Sequence, residues 1–197
     1  MSRKPWDAQL ATWLVRPLVD SWVHPNVLTT VRLAVGLGGA ALFASGSAYN
    51  LGAVLIVLSN FLDHTDGELA RLSGKTTSFG HVYDLWSDAV VTVGIFIGLG
   101  IGLEQVLGWR SILYGTIAGL AIAGIFQMRN IMESRYGKQA VQQANWGGFE
   151  TEDILYLIPL VTLADQQATF LLAATIGAPI GFVVVFVQLL KTVDRGR

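Results

Sequence analysis

Six long apolar stretches constrain this chain more than any other feature. They run roughly over 26–46, 49–66, 84–103, 110–133, 152–165 and 168–191. A helix needs about 20 residues, within a range of about 17–25, to cross the hydrocarbon core of a bilayer. The fifth stretch is the shortest and overlaps Pro159. It is expected to turn tightly into the sixth at Ala164-Asp165-Gln166-Gln167. The expected fold class is therefore all-α, a polytopic membrane protein with six transmembrane helices. A soluble bundle fits poorly, because only 14% of the 197 residues are charged, against roughly 25% in an average soluble domain.

Residues 1–24 are expected to form an interfacial amphipathic helix. Trp6, Trp13 and Trp22 alternate with polar positions there, which suits a helix lying in the membrane surface. A secretory signal would instead join a charged start to a short apolar core and a small-residue cleavage site, so a cleaved signal is not expected here. Residues 25–191 would form the six-helix bundle, so 1–197 reads as a single membrane domain. Arg3, Lys4, Arg16, Arg32, Arg71, Lys75, Arg129, Arg135, Lys138, Lys191, Arg195 and Arg197 fall on one side, and Arg110 on the other. The positive-inside rule then places both termini and the Asp63–Asp88 loop in the cytoplasm. Without cysteine, the chain has neither disulfides nor thiolate metal sites. Its net charge of −1 gives no pull toward nucleic acid.

One polar run interrupts the apolar pattern. It reads Asp63-x-x-Asp66-Gly67-x-x-Ala70-Arg71, eight residues, then Gly80-x-x-x-Asp84-x-x-x-Asp88. Asp63 and Asp66 are three apart and Asp84 and Asp88 four apart, so each pair shares a helix face. A short loop containing Ser73-Gly74-Lys75 lets the two faces converge at the cytoplasmic boundary. Four carboxylates in one place do not all ionise without cations. Hard divalent cations take oxygen ligands, and two-metal centres clamp the attacking and leaving oxygens of phosphoryl transfer. Gly67 and Gly80 let a ligand approach the backbone, and Arg71 offers phosphate a planar fork.

The whole run resembles the signature of the CDP-alcohol phosphotransferase family, D-x2-D-G-x2-A-R-x8-G-x3-D-x3-D, with no departure in spacing or residue type. His24-Pro25-Asn26-Val27-Leu28-Thr29 is similar to that family's turn into its first span. The resemblance implies transfer of a substituted phosphate from a CDP-alcohol to an acceptor hydroxyl, with release of CMP. It implies that Asp63, Asp66, Asp84 and Asp88 hold two Mg²⁺ or Mn²⁺ ions and that Asp88 takes the acceptor proton. Spacing alone does not choose Asp88 over Asp84 as that base. His24, Pro25, Asn26, Val27, Gly67, Ala70, Arg71, Thr77 and Gly80 would contact the CDP-alcohol. The family also implies a homodimer in a bacterial or archaeal inner membrane, with CDP-diacylglycerol as the donor.

The acceptor side departs from one branch of that family. Members that use a phosphorylated acceptor carry segments resembling R-A-R-A-E and E-R-x-x-R. Here the first reads Met128-Arg129-Asn130-Ile131-Met132-Glu133-Ser134-Arg135 and the second Glu150-Thr151-Glu152-Asp153-Ile154. Thr151 and Ile154 stand where arginines would be. Arg129, Arg135, Glu150, Glu152 and Asp153 remain candidate acceptor contacts, and the acidic rim points to an acceptor without phosphate. Acids also suit the start of a helix, which would account for the rim without any ligand. An alternative is transfer from a CDP-linked small alcohol to a lipid hydroxyl. Two other classes make different demands on the sequence. A divalent cation transporter would place its carboxylates in several spans near the bilayer midplane. An intramembrane prenyltransferase would carry a second acidic motif far downstream. The glycine runs Gly94-x-x-x-Gly98-x-Gly100-x-Gly102 and Gly115-x-x-x-Gly119 suit close helix packing or a dimer contact.

Overall fold

In the computed structural model, the described residues are 6–137 and 155–195. They are helical, with no strand among them. Eight α-helices follow one another: α1 (Trp6–Val15), α2 (Pro25–Ala44), α3 (Tyr49–Ser73), α4 (Ser78–Gly102), α5 (Glu104–Leu107), α6 (Arg110–Tyr136), α7 (Ile158–Leu163) and α8 (Gln167–Arg195). A 3-10 turn over Arg16–Leu18 follows α1.

Among the described residues, four helices are long and apolar enough to cross a membrane: Pro25–Ala44, Ser78–Gly102, Arg110–Tyr136 and Gln167–Val193. The six expected spans thus reduce to four on this measure. The second stretch becomes α3, whose last third is crowded with Asp63, His64, Asp66, Glu68 and Arg71. The fifth is the six-residue α7, and the start of its expected range lies outside the described residues. The third stretch begins earlier than expected, at Ser78, where the Thr77 hydroxyl accepts the Gly80 N–H at 2.9 Å and caps α4.

Helix α2 packs between α3 and α4, α4 against α6, and α6 against α8, while α1 lies on α3. Phe43, Ile56, Ile95, Phe96, Leu99 and Leu171 fill the core. The glycine runs are what lets these backbones meet. A Cβ on Gly98 would collide with the carbonyl of Ala40, one on Gly102 with that of Phe43, and one on Gly115 with that of Phe96. These faces are therefore consumed inside one chain, which removes them as surfaces for a second copy. The outer faces remain apolar: Leu113, Ile117 and Leu120 on α6, and Ile176, Ile180, Val183 and Val187 on α8, are all exposed. Both rows follow the helical repeat, and such faces match a lipid surround.

Candidate active site

The aspartate hairpin forms because α3 ends abruptly. Gly74 adopts a left-handed backbone (φ 67°) just past Ser73, a conformation glycine enters without a Cβ penalty. Three residues later α4 begins, so the polar ends of α3 and α4 lie side by side. Each aspartate pair faces the same partner, Arg32 of α2.

Arg32 is 2% exposed and touches all four carboxylates. Its Nη1 donates to Asp88 Oδ1 at 2.6 Å and lies 2.9 Å from Asp63 Oδ1. Its Nη2 donates to Asp84 Oδ1 at 2.7 Å and to the Asp84 carbonyl at 3.1 Å. Its Nε lies 3.4 Å from Asp66 Oδ2 without a hydrogen bond. Asp66 instead accepts from the Thr29 hydroxyl at 2.7 Å. The Ser59 hydroxyl fastens the Arg32 carbonyl at 2.8 Å. One guanidinium cannot neutralise four carboxylates, so the centre keeps a strong demand for further positive charge. Oxygens of Asp63, Asp66 and Asp84 lie within 4.8 Å of one another. A set of hard oxygen donors gathered around a cation fits a divalent metal.

Arg32 was legible only as a charge near the start of the first span. The missed signal was its register: Pro25, Thr29, Arg32, Gly36, Gly39 and Phe43 are the buried stripe of α2. A charge on the buried face of an apolar helix demands a partner as strongly as the aspartates do.

Two cavities flank this cluster. One, of about 170 Å³, is lined by Pro25, Asn26, Gly67, Ala70, Thr77 and Gly80, with Asp66 and Asp84 on its wall. These are six of the nine positions expected to contact the CDP-alcohol. Thr29, Lys75, Thr76 and His81 line it too, and sequence reasoning did not find them. Gly67 faces open space, since an added Cβ would meet nothing closer than Arg71 at 3.7 Å. At Gly80 a Cβ would press on Asn26 Oδ1 at 2.9 Å and Thr77 Oγ1 at 3.0 Å, so this glycine draws α4 against the start of α2. The other three positions lie off the cavity wall. The His24 Nδ1 accepts the Asn26 N–H at 3.2 Å and caps α2. Val27 is exposed. Arg71 is two-thirds exposed and its Nη2 donates to Glu68 Oε1 at 2.9 Å.

The second cavity, of about 60 Å³, is lined by Arg32, with Asp63 and Asp88 on its wall. Asn60 of α3 and Gln127 and Asn130 of α6 line it; Arg129 and Arg135 do not. Glu150, Glu152 and Asp153 lie outside the described residues.

The chain is similar to several known proteins. Over 99 residues the chain is 31% identical to a bifunctional IPC transferase and DIPP synthase of Rubrobacter xylanophilus, covering 48% of this chain and 22% of that protein. It is 33% identical over 109 residues to the archaetidylinositol phosphate synthase of Methanothermobacter thermautotrophicus, covering 53% and 51%. It is 29% identical over 152 residues to the CMP-forming cardiolipin synthase of Streptomyces coelicolor, covering 72% and 65%. The chain thus spans less than two thirds of the length of each of these relatives. The crystal structure of Mycobacterium tuberculosis phosphatidylinositol phosphate synthase with CDP-DAG bound shares the fold, with a TM-score of 0.63 and 21% identity over 94% of this chain and 92% of that one. Residues 22–190, which hold the aspartate hairpin, Arg32 and both cavities, match the CDP-alcohol phosphatidyltransferase family, and the chain belongs to it.

Proposed function

We propose that this protein transfers a phosphatidyl group from CDP-diacylglycerol to the hydroxyl of an acceptor alcohol without phosphate and releases CMP. The observation that carries the reading is the carboxylate cluster divided between two cavities. The Asp66 and Asp84 side is lined by the positions expected to hold the CDP part, and the Asp63 and Asp88 side is left for the acceptor.

The residues divide the work accordingly. Asn26, Gly67, Thr77 and Gly80 seat the nucleotide end of the donor. Asp63, Asp66, Asp84 and Asp88 would hold Mg²⁺ or Mn²⁺, two ions by family analogy, and the metal supplies charge that stabilises the phosphates as they react. Asp88 takes the proton from the acceptor hydroxyl. Its place on the acceptor side, against that of Asp84 on the nucleotide side, favours it as the base. The acceptor oxygen then bonds to the phosphorus bearing the diacylglycerol. The bond from that phosphorus to the bridging oxygen breaks, and its electron pair leaves with CMP. Holding both substrates in line across one wall supplies much of the rate.

The bundle is placed in a bacterial or archaeal inner membrane, with α3 and the α7 region completing six spans and the site facing the cytoplasm. A homodimer is expected. A second reading, transfer from a CDP-linked small alcohol to a lipid hydroxyl, draws on an apolar cavity of about 350 Å³ between α4, α6 and α8. The test is CMP release by the purified protein with Mg²⁺ and either CDP-diacylglycerol or CDP-choline. Release from the first supports phosphatidyl transfer; release from the second alone supports the reversed roles.

A further inference from the structure

The small cavity beside Asp63 and Asp88 has walls that select among acceptors. Asn60 lies one turn of α3 before Asp63, and Thr92 one turn of α4 after Asp88. They are therefore about 4.5 and about 6 Å further along their helices from the Gly74 turn than those aspartates. Gln127 and Asn130, three apart on α6, close the third side. The Gln127 amide nitrogen donates to the Leu85 carbonyl at 2.8 Å, which leaves its amide oxygen to accept. The Asn60 Nδ2 is buried and has no hydrogen-bond partner among the described residues. A buried donor without a partner is costly, and here it lines a cavity.

We propose that this cavity is the acceptor subsite and that it takes an uncharged, hydroxyl-bearing group read by the carboxamides of Asn60, Gln127 and Asn130. The proposal rests on the transfer reading above. A carboxamide both donates and accepts, as a hydroxyl does. An ammonium group could not satisfy the Asn60 N–H, because it carries no acceptor. A phosphate would bring negative charge beside Asp63 and Asp88, and among the described residues the only cation lining the cavity is Arg32, which is already spread over four carboxylates. The volume of about 60 Å³ suits a short run of hydroxylated carbons. Phe126 and Leu155 form part of both this cavity and the apolar one, so the hydroxyl group could arrive free or on a lipid headgroup.

The experiment measures CMP release from CDP-diacylglycerol with four acceptors: glycerol, a lipid with a glycerol headgroup, glycerol 3-phosphate and ethanolamine. CDP-diacylglycerol binding is read separately as thermal stabilisation. Turnover of glycerol or of the glycerol-headed lipid supports the proposal, and the pair tells which source serves. Asn60→Leu and Gln127→Leu should each raise the acceptor KM roughly tenfold while leaving the donor-induced stabilisation intact. Should Asn60→Leu fail to fold, Gln127→Leu carries the test. Gln127→Arg should open turnover of glycerol 3-phosphate. Preference of the wild type for glycerol 3-phosphate or ethanolamine, or an unchanged acceptor KM in both leucine variants, would overturn the acceptor assignment while the transfer reading stands. Absence of both CDP-diacylglycerol binding and CMP release would overturn the transfer reading and the assignment with it.

Discussion

Arg32→Met tests the electrostatics of the centre directly. The substitution keeps an apolar stem of similar length and removes the guanidinium that touches Asp63, Asp84 and Asp88 within 2.9 Å and Asp66 at 3.4 Å. Removing one partner of a buried ion pair costs about 3–5 kcal/mol, because the remaining charge is left buried without compensation. Asp63, Asp84 and Asp88 keep a quarter to a third of their side-chain surface, so water recovers part of the loss. The repulsion among four carboxylates works the other way. We therefore expect a loss of about 3–5 kcal/mol in metal-free protein, or roughly 6–20 °C in Tm at about 2–4 °C per kcal/mol for a chain of this size. Divalent cations can neutralise the same carboxylates, so saturating Mg²⁺ should close most of the gap between variant and wild type. Thermal unfolding in detergent, with EDTA and with Mg²⁺, measures both numbers. Manganese binding followed by electron paramagnetic resonance should also tighten in the variant, since ion and guanidinium compete for the same oxygens. An equal loss in EDTA and in Mg²⁺, or none in EDTA, would refute the reasoning.

Four further outcomes are expected. Asp63→Asn and Asp88→Asn should each abolish CMP release while the protein stays folded by circular dichroism; ample activity in either would sink the metal-site assignment. Gly98→Ala, whose Cβ would collide with the Ala40 carbonyl, should lower stability by about 1–3 kcal/mol, read by thermal unfolding. Gly67→Ala, with open space around its Cβ, should fold normally and raise the KM for the CDP-alcohol instead. Arg71→Lys should leave Tm nearly unchanged, since Arg71 is two-thirds exposed and a lysine there keeps the positive charge beside the buried Glu68. It should weaken CDP-alcohol binding more than acceptor binding, because a point charge replaces a fork; equal effects on the two substrates would count against a role for Arg71 at the nucleotide.

The aspartate hairpin was legible because the rules that govern it are local. Helical spacing put each pair on one face, and the glycine after Ser73 marked where α3 had to stop. Pro25 at the first position of α2 and the Thr77 cap follow from equally short-range chemistry. Arg32 was harder to see, since its partners lie more than thirty residues away and a basic residue near a span doubles as an orientation signal. Asn60 and Gln127 were invisible for a different reason. A carboxamide on an apolar helix has no spacing signature, and only the cavity that α3, α4 and α6 line together shows what it faces. Arg71 was read as free to meet phosphate because Glu68, three residues earlier, was treated as a spacer. The polar last third of α3 explains why a run of span length falls outside the set of helices apolar enough to cross a bilayer.

The placement of the two cavities also bears on kinetics. On the proposed reading donor and acceptor occupy separate cavities that meet the same carboxylate cluster, so neither blocks the other and both are aboard when the phosphorus reacts. Such an enzyme proceeds through a ternary complex, and its double-reciprocal plots intersect instead of running parallel. An oxygen arriving on the face opposite the departing nucleotide inverts the configuration at phosphorus. A chiral phosphorothioate donor would therefore record, in the handedness of its product, the architecture of a centre built around one buried arginine.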